Sequence, residues 1–288
     1  MKRNYLITDS KQYKEEVRQG YDNAAPGWQK WWKTIEGATE KVSKRLVELA
    51  RIRSGSKVLD IATGMGEPAL TAAKQVRTGS ILAIDISSRM LAFGIERAIT
   101  LGLQDVVEFK EGDAETIVLP PSTFDAALCR WGLMFLPNPK TCLSNIYGSL
   151  VKGGHFAAAV WASPDKVPFI SVPMNVVLKE TNSPALPLTP GPFSMSDQNN
   201  LKNLYKESGF IHPVIERINV VSRFDSSEDF TRFTIDHGGP TLRKILERET
   251  DEKKQQILKA ISNASEKYAD STGNVRFENE AILVVAGK

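Results

Sequence analysis

Five residues at three places in this sequence are suited to hold a charged small molecule. Asp60 lies just before a turn that contains Gly64 and Gly66, Asp85 follows Gly64 by 21 residues, and Asp113 comes later in the chain. Glycine lets the backbone adopt positive φ angles and approach a ligand closely. Ionised carboxylates accept hydrogen bonds from hydroxyl and amino groups and attract cations. The pattern predicts one site in which a glycine turn and several carboxylates face the same ligand.

The segments around these residues alternate between strand-like and helix-like patterns. Apolar runs predict strands at 57–62, 81–86, 106–113, 124–131, 155–161, 212–224 and 275–288. Helical spacing predicts helices at 11–50, 68–76, 87–102 and 138–150. We expect Ser87 or Ser88 to cap the third helix and Lys152-Gly153-Gly154 to end the fourth. Such alternation is typical of an α/β fold with a doubly wound, mostly parallel sheet.

The remaining segments predict a mainly helical cap around this core. Residues 162–200 contain the prolines Pro164, Pro168, Pro173, Pro184, Pro187, Pro190 and Pro192, which indicates an insertion rather than a sheet unit. The predicted organisation is a cap segment at 1–50, the core at 51–161, a cap insertion at 162–200, a core continuation at 201–225, a helical cap at 226–270 and a final core strand at 271–288.

Ligands of doubly wound sheets bind outside the carboxyl ends of the strands, where these acidic residues are predicted to lie. There Asp85 can accept both hydroxyls of a ribose, Asp113 the amino group of an adenine, and Asp60 can attract an ammonium group. The Ala114 N–H can meet an adenine ring nitrogen, and Met90 can pack on the ring. Free N–H groups at the helix start behind the turn suit a carboxylate. Together these contacts predict S-adenosylmethionine as the ligand.

The glycine turn alone leaves a second ligand open. Gly64, Gly66 and Ala69, with an acidic residue about 20 positions further on, also match the dinucleotide fingerprint. A nicotinamide-dependent oxidoreductase is therefore an alternative, and so is a non-catalytic binding module on the same fold. Asp60 within the first strand and the run Gly112-Asp113-Ala114-Glu115 favour S-adenosylmethionine.

Several motifs together carry a resemblance to a known family. The stretches VLDIATGMGEPALTAA, EGDAE, FDAALCRWGLMFLPNP and PGPFSMSDQNNLKNLYKESGF resemble class I S-adenosylmethionine-dependent methyltransferases of type 11, the ubiquinone/menaquinone-biosynthesis-like family. The resemblance implies a Rossmann-like methyltransferase fold with seven strands, the last one reversed. It also implies that Tyr21 closes over the methionine end of the cofactor.

Two departures from that family's pattern are visible. Ala62 replaces the first glycine of the usual triplet, and Met134 and Phe135 occupy the positions of the Arg-Asn pair of quinone methylases. The second departure argues against a quinone precursor as the acceptor. The full set of predicted cofactor contacts is Tyr21, Asp60, Ala62, Thr63, Gly64, Gly66, Asp85, Ile86, Met90, Gly112, Asp113, Ala114 and Arg130.

Methyl transfer from a sulfonium is an in-line displacement of an activated group, so we expect positioning to be the main catalytic effect. The catalytic candidates are His237, in the predicted cap, and Arg130, at the end of the fourth strand. Each also has a structural interpretation, as packing or solvent-facing for His237 and as a helix–strand ion pair for Arg130. His155 and His212 precede strands, so we expect them at the opposite, amino edge of the sheet.

Tryptophans provide candidates for an acceptor pocket. Trp28, Trp32 and Trp131 could line a pocket for a largely apolar acceptor, whose oxygen or carbon would receive the methyl group. The spacing of Trp28, Trp31 and Trp32 equally fits the packed face of a helix.

The composition narrows the remaining classes. A net charge of +3, with 41% hydrophobic and 25% charged residues, is ordinary for a globular protein and gives no support for nucleic-acid binding. The N-terminus lacks the apolar core of a signal peptide, and no stretch is long and apolar enough for a membrane span. Cys129 and Cys142 do not have metal-ligand spacing. We expect a cytoplasmic enzyme with a small-molecule acceptor and no metal, and a homodimer as the assembly to test.

Overall fold

A computed structural model describes residues 9–184 and 190–288. Pro187, part of the proline-rich segment, and residues 1–8, on which the signal-peptide expectation rests, lie outside the described residues.

Within the described residues, helices and strands alternate through most of the chain. The helices are α1 Ser10–Leu49, α2 Ala69–Val76, α3 Ser88–Thr100, α4 Pro139–Ser149, α5 Pro168–Glu180, α6 Gln198–Glu207, α7 Ser227–His237, α8 Pro240–Leu246 and α9 Asp251–Ser265. The strands are β1 Lys57–Ile61, β2 Ser80–Asp85, β3 Val107–Glu111, β4 Phe124–Arg130, β5 Leu150–Trp161, β6 Ile211–Phe224 and β7 Val275–Gly287.

These strands form a seven-stranded sheet in the order β3-β2-β1-β4-β5-β7-β6. The pairs β1–β2, β2–β3, β1–β4 and β4–β5 are parallel, and β7 is antiparallel to β5. The order reverses direction at β1, where the chain crosses from one side of the sheet to the other, and this is where ligands of such sheets bind. The fold class, the strand count and the reversed last strand are therefore confirmed.

Local sequence explains where the elements near this point begin and end. The four residues of β1 from Val58 to Ile61 are fully or almost fully buried, as expected for a central parallel strand. Ser87 caps α3, because its side chain accepts a hydrogen bond from the Met90 N–H, so one of the two predicted caps is confirmed.

The α4 helix ends within one residue of the predicted position 150, but the predicted stop signal, Lys152-Gly153-Gly154, is wrong. The helix ends at Ser149 and β5 begins at the next residue, so Gly153 and Gly154 lie inside the strand segment. The register with β4 shifts between Phe124 and Ala126, which accommodates the extra residues before His155. Because β5 starts with an irregular stretch, its first residues do not alternate between apolar and polar types. Gly153 and Gly154 in this stretch therefore resemble the glycines that end a helix.

The described residues divide into two compact units. Unit 1 comprises residues 9–39, 163–184 and 219–280, and unit 2 comprises residues 40–162, 190–218 and 281–288. Unit 2 contains the parallel strands and their helices. Unit 1 has its own apolar core, in which Phe224, Phe230, Phe233 and Phe277 are buried. The last turns of α1 and residues 190–200 belong to unit 2, whereas the sequence placed them in the cap.

Residues 9–184 and 190–288 contain neither a membrane-spanning helix nor a metal-binding cluster. No helix there combines the length and apolar character needed to cross a membrane. Among the same residues, no group of three or more His, Cys, Asp or Glu side chains is arranged to hold a metal ion.

Candidate functional site

The Asp60 side chain holds the glycine turn after β1 through two hydrogen bonds. The Asp60 Oδ2 atom accepts a hydrogen bond of 2.6 Å from the Thr63 hydroxyl and one of 3.0 Å from the Ala69 N–H. Asp60 thus joins the end of β1 to both the turn and the start of α2. Its other oxygen, Oδ1, is buried and has no hydrogen-bond partner among the described residues.

Burial of this carboxyl has an electrostatic consequence. Desolvation raises the pKa of Asp60 to about 7, and the hydrogen bonds from Thr63 and Ala69 oppose the shift. A buried carboxylate with one unpartnered oxygen is costly unless a donor or a cation approaches it. The predicted contact with an ammonium group would supply that partner, and it stays a prediction.

Asp85 fixes the turn from the neighbouring strand. Its Oδ2 atom accepts a 2.8 Å hydrogen bond from the Gly64 N–H, and its Oδ1 atom accepts one of 2.9 Å from the Ser87 N–H. The Asp85 side chain is half-buried at the end of β2. The predicted ribose contact stays a prediction.

Gly64 leaves an open space where a side chain would stand. Its φ is +56°, and a Cβ built there would have no atom of another residue within 4 Å. By contrast, a Cβ on Gly66, at φ +92°, would crowd the Leu70 side chain. The residues present thus fit an S-adenosylmethionine site, since an open cradle lies beside a buried carboxyl oxygen that lacks a partner.

The expected anion site at the start of α2 differs from the structure. The N–H groups of Gly66 and Glu67 donate to the Thr63 carbonyl, that of Leu70 donates to the Gly66 carbonyl, and that of Ala69 donates to Asp60. The turn is tight enough to satisfy its own donors, so these groups are not available to a carboxylate.

Sequence reasoning missed a second brace on the turn. The Arg97 guanidinium on α3 donates a 2.7 Å hydrogen bond to the Met65 carbonyl and forms a 3.1 Å ion pair with Glu67, whose carboxylate also accepts from the Thr71 hydroxyl. Both side chains of the pair are largely buried, at 13% and 6% exposure. No motif signals this contact, because a helical arginine is most often a solvent-facing residue.

The turn after β3 brings together the residues predicted to hold the adenine. Asp113 Oδ1 accepts from the Glu115 N–H at 2.9 Å, and the Gly112 N–H donates to the Asp85 carbonyl at 2.9 Å. Ala114 and Met90 are buried, and Ile86 is half-buried. A backbone hydrogen bond therefore links Gly112 to Asp85, so the predicted adenine and ribose contacts are neighbours.

The end of β4 contacts α1 and the end of β5. Arg130 donates a 2.8 Å hydrogen bond to the Ser43 hydroxyl on α1, which is a contact between a helix and a strand end. Trp131 has φ +59° and stacks on Trp161, with ring centroids 4.4 Å apart. The Trp131 indole nitrogen is buried and has no hydrogen-bond partner among the described residues.

Ala62 adopts the backbone conformation of the glycine that it replaces. Its φ is +56°, a region that costs a non-glycine residue about 1–3 kcal/mol. A Cβ built on Gly132, just after β4, would overlap the Ala62 Cβ and would lie 2.9 Å from the Cys129 Sγ atom. The loop after β1 and the loop after β4 therefore lie so close together that only glycine fits at position 132 without a shift of its neighbours.

The other predicted site residues lie in unit 1. His237 ends α7, and its ring lies 4.1 Å from that of Trp28 and 4.6 Å from that of Phe233. Tyr21 lies 6.4 Å from Trp28, edge to face, and Trp32 is half-buried on the same helix. Unit 1 thus brings together Tyr21, Trp28 and His237, which the sequence predicted separately.

His237 is a neutral imidazole at physiological pH. Desolvation among the aromatic rings, aided by the charge of Arg243, lowers the pKa of His237 to about 3. Its roles as a base or as a packing residue both remain open. Trp31 is a packing residue, because its ring meets Phe233 and its indole N–H donates to Asp236.

The two remaining histidines lie at the edge of the sheet opposite to the turn, and the two cysteines are buried. His155 lies in the first half of β5, just after the register shift, and His212 lies at the start of β6, which places both at the predicted amino edge. Cys129 and Cys142 are buried free thiols, and burial raises the pKa of Cys129 to about 12.

The central part of the chain is similar to known methyltransferases. Residues 59–158 match the family model Methyltransf_11, described as a methyltransferase domain. The ubiquinone/menaquinone biosynthesis C-methyltransferase UbiE of Pseudomonas savastanoi pv. phaseolicola is 27% identical over 218 residues, which cover 72% of this chain and 85% of that protein.

Two solved structures share the fold over 96% of this chain. The [4+2]-cyclase SpnF has a TM-score of 0.60 and 18% identity, and 96% of its chain is covered. Phosphoethanolamine N-methyltransferase 2 of Haemonchus contortus, solved with phosphomonomethylethanolamine and S-adenosylhomocysteine, has a TM-score of 0.57 and 16% identity, with 60% of its chain covered.

The family match favours the methyl donor over a dinucleotide, and S-adenosylmethionine is the cofactor that it supports. The matched residues include Asp60, the glycine turn, Asp85 and Asp113. Residues 59–158 are therefore similar to the methyltransferase domains that this model describes.

Proposed function

We propose that this protein transfers the methyl group of S-adenosylmethionine to an oxygen or carbon atom of a small, largely apolar acceptor. The observation that carries the proposal is the Gly64 cradle, which is open at a positive φ and tied to Asp85 beside the buried Asp60. Bound there, the sulfonium supplies an activated methyl group. A dinucleotide oxidoreductase has only the glycine spacing in its favour.

In this proposal the chain's own residues bind and align. Asp85 and Asp113 orient the adenosine end through its hydroxyl and amino groups, and Asp60 neutralises the ammonium group. Each such charged hydrogen bond contributes about 1.5–3 kcal/mol. Alignment of an acceptor with the methyl group can then contribute about 7–11 kcal/mol, and an acceptor hydroxyl or enol gives up its proton to solvent.

The acceptor side of the proposal rests on aromatic residues. Trp131 follows β4 directly beside the turn, and we propose that it faces the acceptor. We also propose that Trp28 and Trp32 line the acceptor pocket and that Tyr21 contacts the methionine end of the cofactor. His237 or Arg130 would support catalysis. The neutral state of His237 suits an acceptor that needs a hydrogen-bond partner without a charge.

Binding and turnover are tested together with labelled cofactor. We expect wild type to bind S-adenosylmethionine at micromolar affinity and to transfer tritiated methyl groups to members of a panel of phenols and enols. Asp85→Ala should weaken binding by about tenfold or more, because it removes a charged acceptor. Asp125→Ala is the matched control. Within the described part of the chain, the Asp125 carboxylate accepts a hydrogen bond only from the Lys57 N–H, at 2.7 Å.

Unchanged affinity in Asp85→Ala would contradict the placement of the ribose. Cofactor binding without methyl transfer to any acceptor would favour a non-catalytic module or another reaction, as the cyclase with the same fold illustrates. A cytoplasmic location and a homodimer also remain proposals, which cell fractionation and light scattering can test.

A further inference from the structure

A second cleft opens in unit 2, away from the glycine turn. It has a volume of about 610 Å³, and its walls come from the end of α1 and the residues after it, the start of β5, the start of β6 and the end of β7. Pocket volumes of about 300–1,000 Å³ are typical of small-molecule sites. Because β1, β4 and β5 are parallel, the start of β5 lies at the edge opposite to Asp60 and Asp85.

The cleft has an apolar wall that is unusually exposed. Ile211 and Val214 on β6 are 53% and 58% exposed, and both line the cleft. Leu49, Val285 and Ala286 extend the apolar lining. Single exposed apolar residues are common, but several around one concave space favour an apolar ligand body.

Among the described residues, one cation that lines this cleft has neither an ion pair nor a side-chain hydrogen bond. Arg45 is neutralised by Glu216, which it meets at 2.8 Å, and by Glu48 at 2.7 Å. The Lys288 ammonium donates to the Leu150 carbonyl at 2.7 Å. The Arg51 guanidinium has no ion pair or side-chain hydrogen bond within the described part of the chain, and its charge, after desolvation, lowers the pKa of His155.

We propose that this cleft binds a small amphipathic molecule that carries one oxyanion on an apolar body, with Arg51 as the anion contact. An arginine fork matches a carboxylate or phosphate in geometry and charge. The apolar body would lie against Ile211 and Val214. This site is distinct from the proposed methyl-transfer site and does not depend on it.

Gly287 offers a way to close the cleft without straining the backbone. A Cβ built there would be 4.0 Å from both the His155 Nε2 and the Ile211 Cγ1 atoms, which is ordinary contact. Both neighbours line the cleft. The ring in Gly287→Phe would therefore occupy space that the ligand needs.

Calorimetric titration of the full chain with octanoate tests the proposal. We expect Arg51→Gln to weaken octanoate binding by about fivefold or more, because a charged hydrogen bond is lost, and Gly287→Phe to abolish it. Arg53→Gln is the matched control, since this exposed arginine does not line the cleft. Octanol, without the charge, should bind about fivefold more weakly than octanoate, and saturating S-adenosylhomocysteine should leave octanoate affinity unchanged.

Three results would overturn the proposal. One is no octanoate binding to wild type, and another is equal affinity in Arg51→Gln and wild type. The third is competition by S-adenosylhomocysteine, which would place octanoate at the glycine turn instead. Thermal unfolding of each variant verifies folding without reference to the cofactor, so failure here is distinguishable from failure of the proposed methyl transfer.

Discussion

At the scale of single residues, Asp60 shows how a predicted ligand contact can also be a structural one. The sequence predicts this carboxylate because it lies inside the first strand before a glycine turn. The structure adds that one oxygen holds Thr63 and Ala69 while the other is buried without a partner. The same residue therefore shapes the turn and leaves one acceptor for a cationic ligand.

Asp60→Asn should change how stability and cofactor binding depend on pH. The folded pKa of Asp60, raised to about 7 by desolvation, exceeds its unfolded value, so its stabilising contribution is full at low pH and is lost as pH rises through 7. Urea unfolding should show wild type losing stability relative to Asp60→Asn between about pH 4 and pH 7.

Calorimetry in buffers of different ionisation enthalpy gives the second readout for Asp60. If an ammonium group approaches the carboxyl, binding of S-adenosylhomocysteine near pH 6.5 should release a proton from wild type and none from Asp60→Asn. Equal proton release by both proteins would contradict the contact.

At the scale of elements, the approach of two loops explains why Ala62 is tolerated at a glycine position. The loop after β1 carries Ala62 at positive φ, and the loop after β4 carries Gly132, whose missing side chain leaves room for the Ala62 methyl group. Gly132 has only a hydrogen where a side chain would overlap the Ala62 methyl group. The two strand ends can therefore pack closely although Ala62 carries a methyl group.

A double-mutant cycle tests this close packing. Gly132→Ala should destabilise the protein by about 1–3 kcal/mol, because the new methyl group overlaps that of Ala62. Ala62→Gly should be near neutral, since relief of the strained φ offsets greater freedom of the unfolded chain. In the double variant, Ala62→Gly should recover at least about 1 kcal/mol of the loss, measured by urea unfolding. Additive effects would show that the two loops do not couple.

Element positions were largely predictable from the sequence, whereas the contacts that hold the site were not. Buried parallel strands are continuous apolar runs, and carboxylates at their ends are visible without a structure. The contacts of Arg97 with Met65 and Glu67 join α3 to the glycine turn, and α2 and β2 separate the two along the sequence. Tertiary contacts of this kind leave no periodic signal, and the irregular start of β5 likewise resembled a helix stop.

At the scale of the whole molecule, the chain builds two compact units whose segments alternate along the sequence. Unit 2 contains the residues that match the methyltransferase-domain model, together with the glycine-turn and cleft sites proposed above. Unit 1 combines helices from the start, middle and end of the chain around aromatic side chains, and His237 is the titratable group most affected by that packing. The pH range of stable folding should therefore depend on unit 1.

His237→Phe should broaden the stable pH range on the acid side. The folded pKa of His237 is lowered to about 3 by desolvation, so below pH 6.5 the unfolded chain takes up a proton that the folded chain does not. Wild type should lose at most about 2 kcal/mol more than His237→Phe between pH 7 and pH 5 in urea unfolding. Parallel pH profiles for the two proteins would contradict a buried neutral imidazole.

The most direct test of the central claim is calorimetric titration of S-adenosylhomocysteine into wild type, Gly64→Asn and Gly102→Asn. Both glycines have positive φ, +56° and +67°, and neither has an atom near its built Cβ, while asparagine tolerates this region. If the methyl donor occupies the Gly64 cradle, Gly64→Asn should weaken binding by about tenfold or more, and Gly102→Asn should bind like wild type. Equal affinities in all three proteins would contradict the placement of the cofactor at this turn.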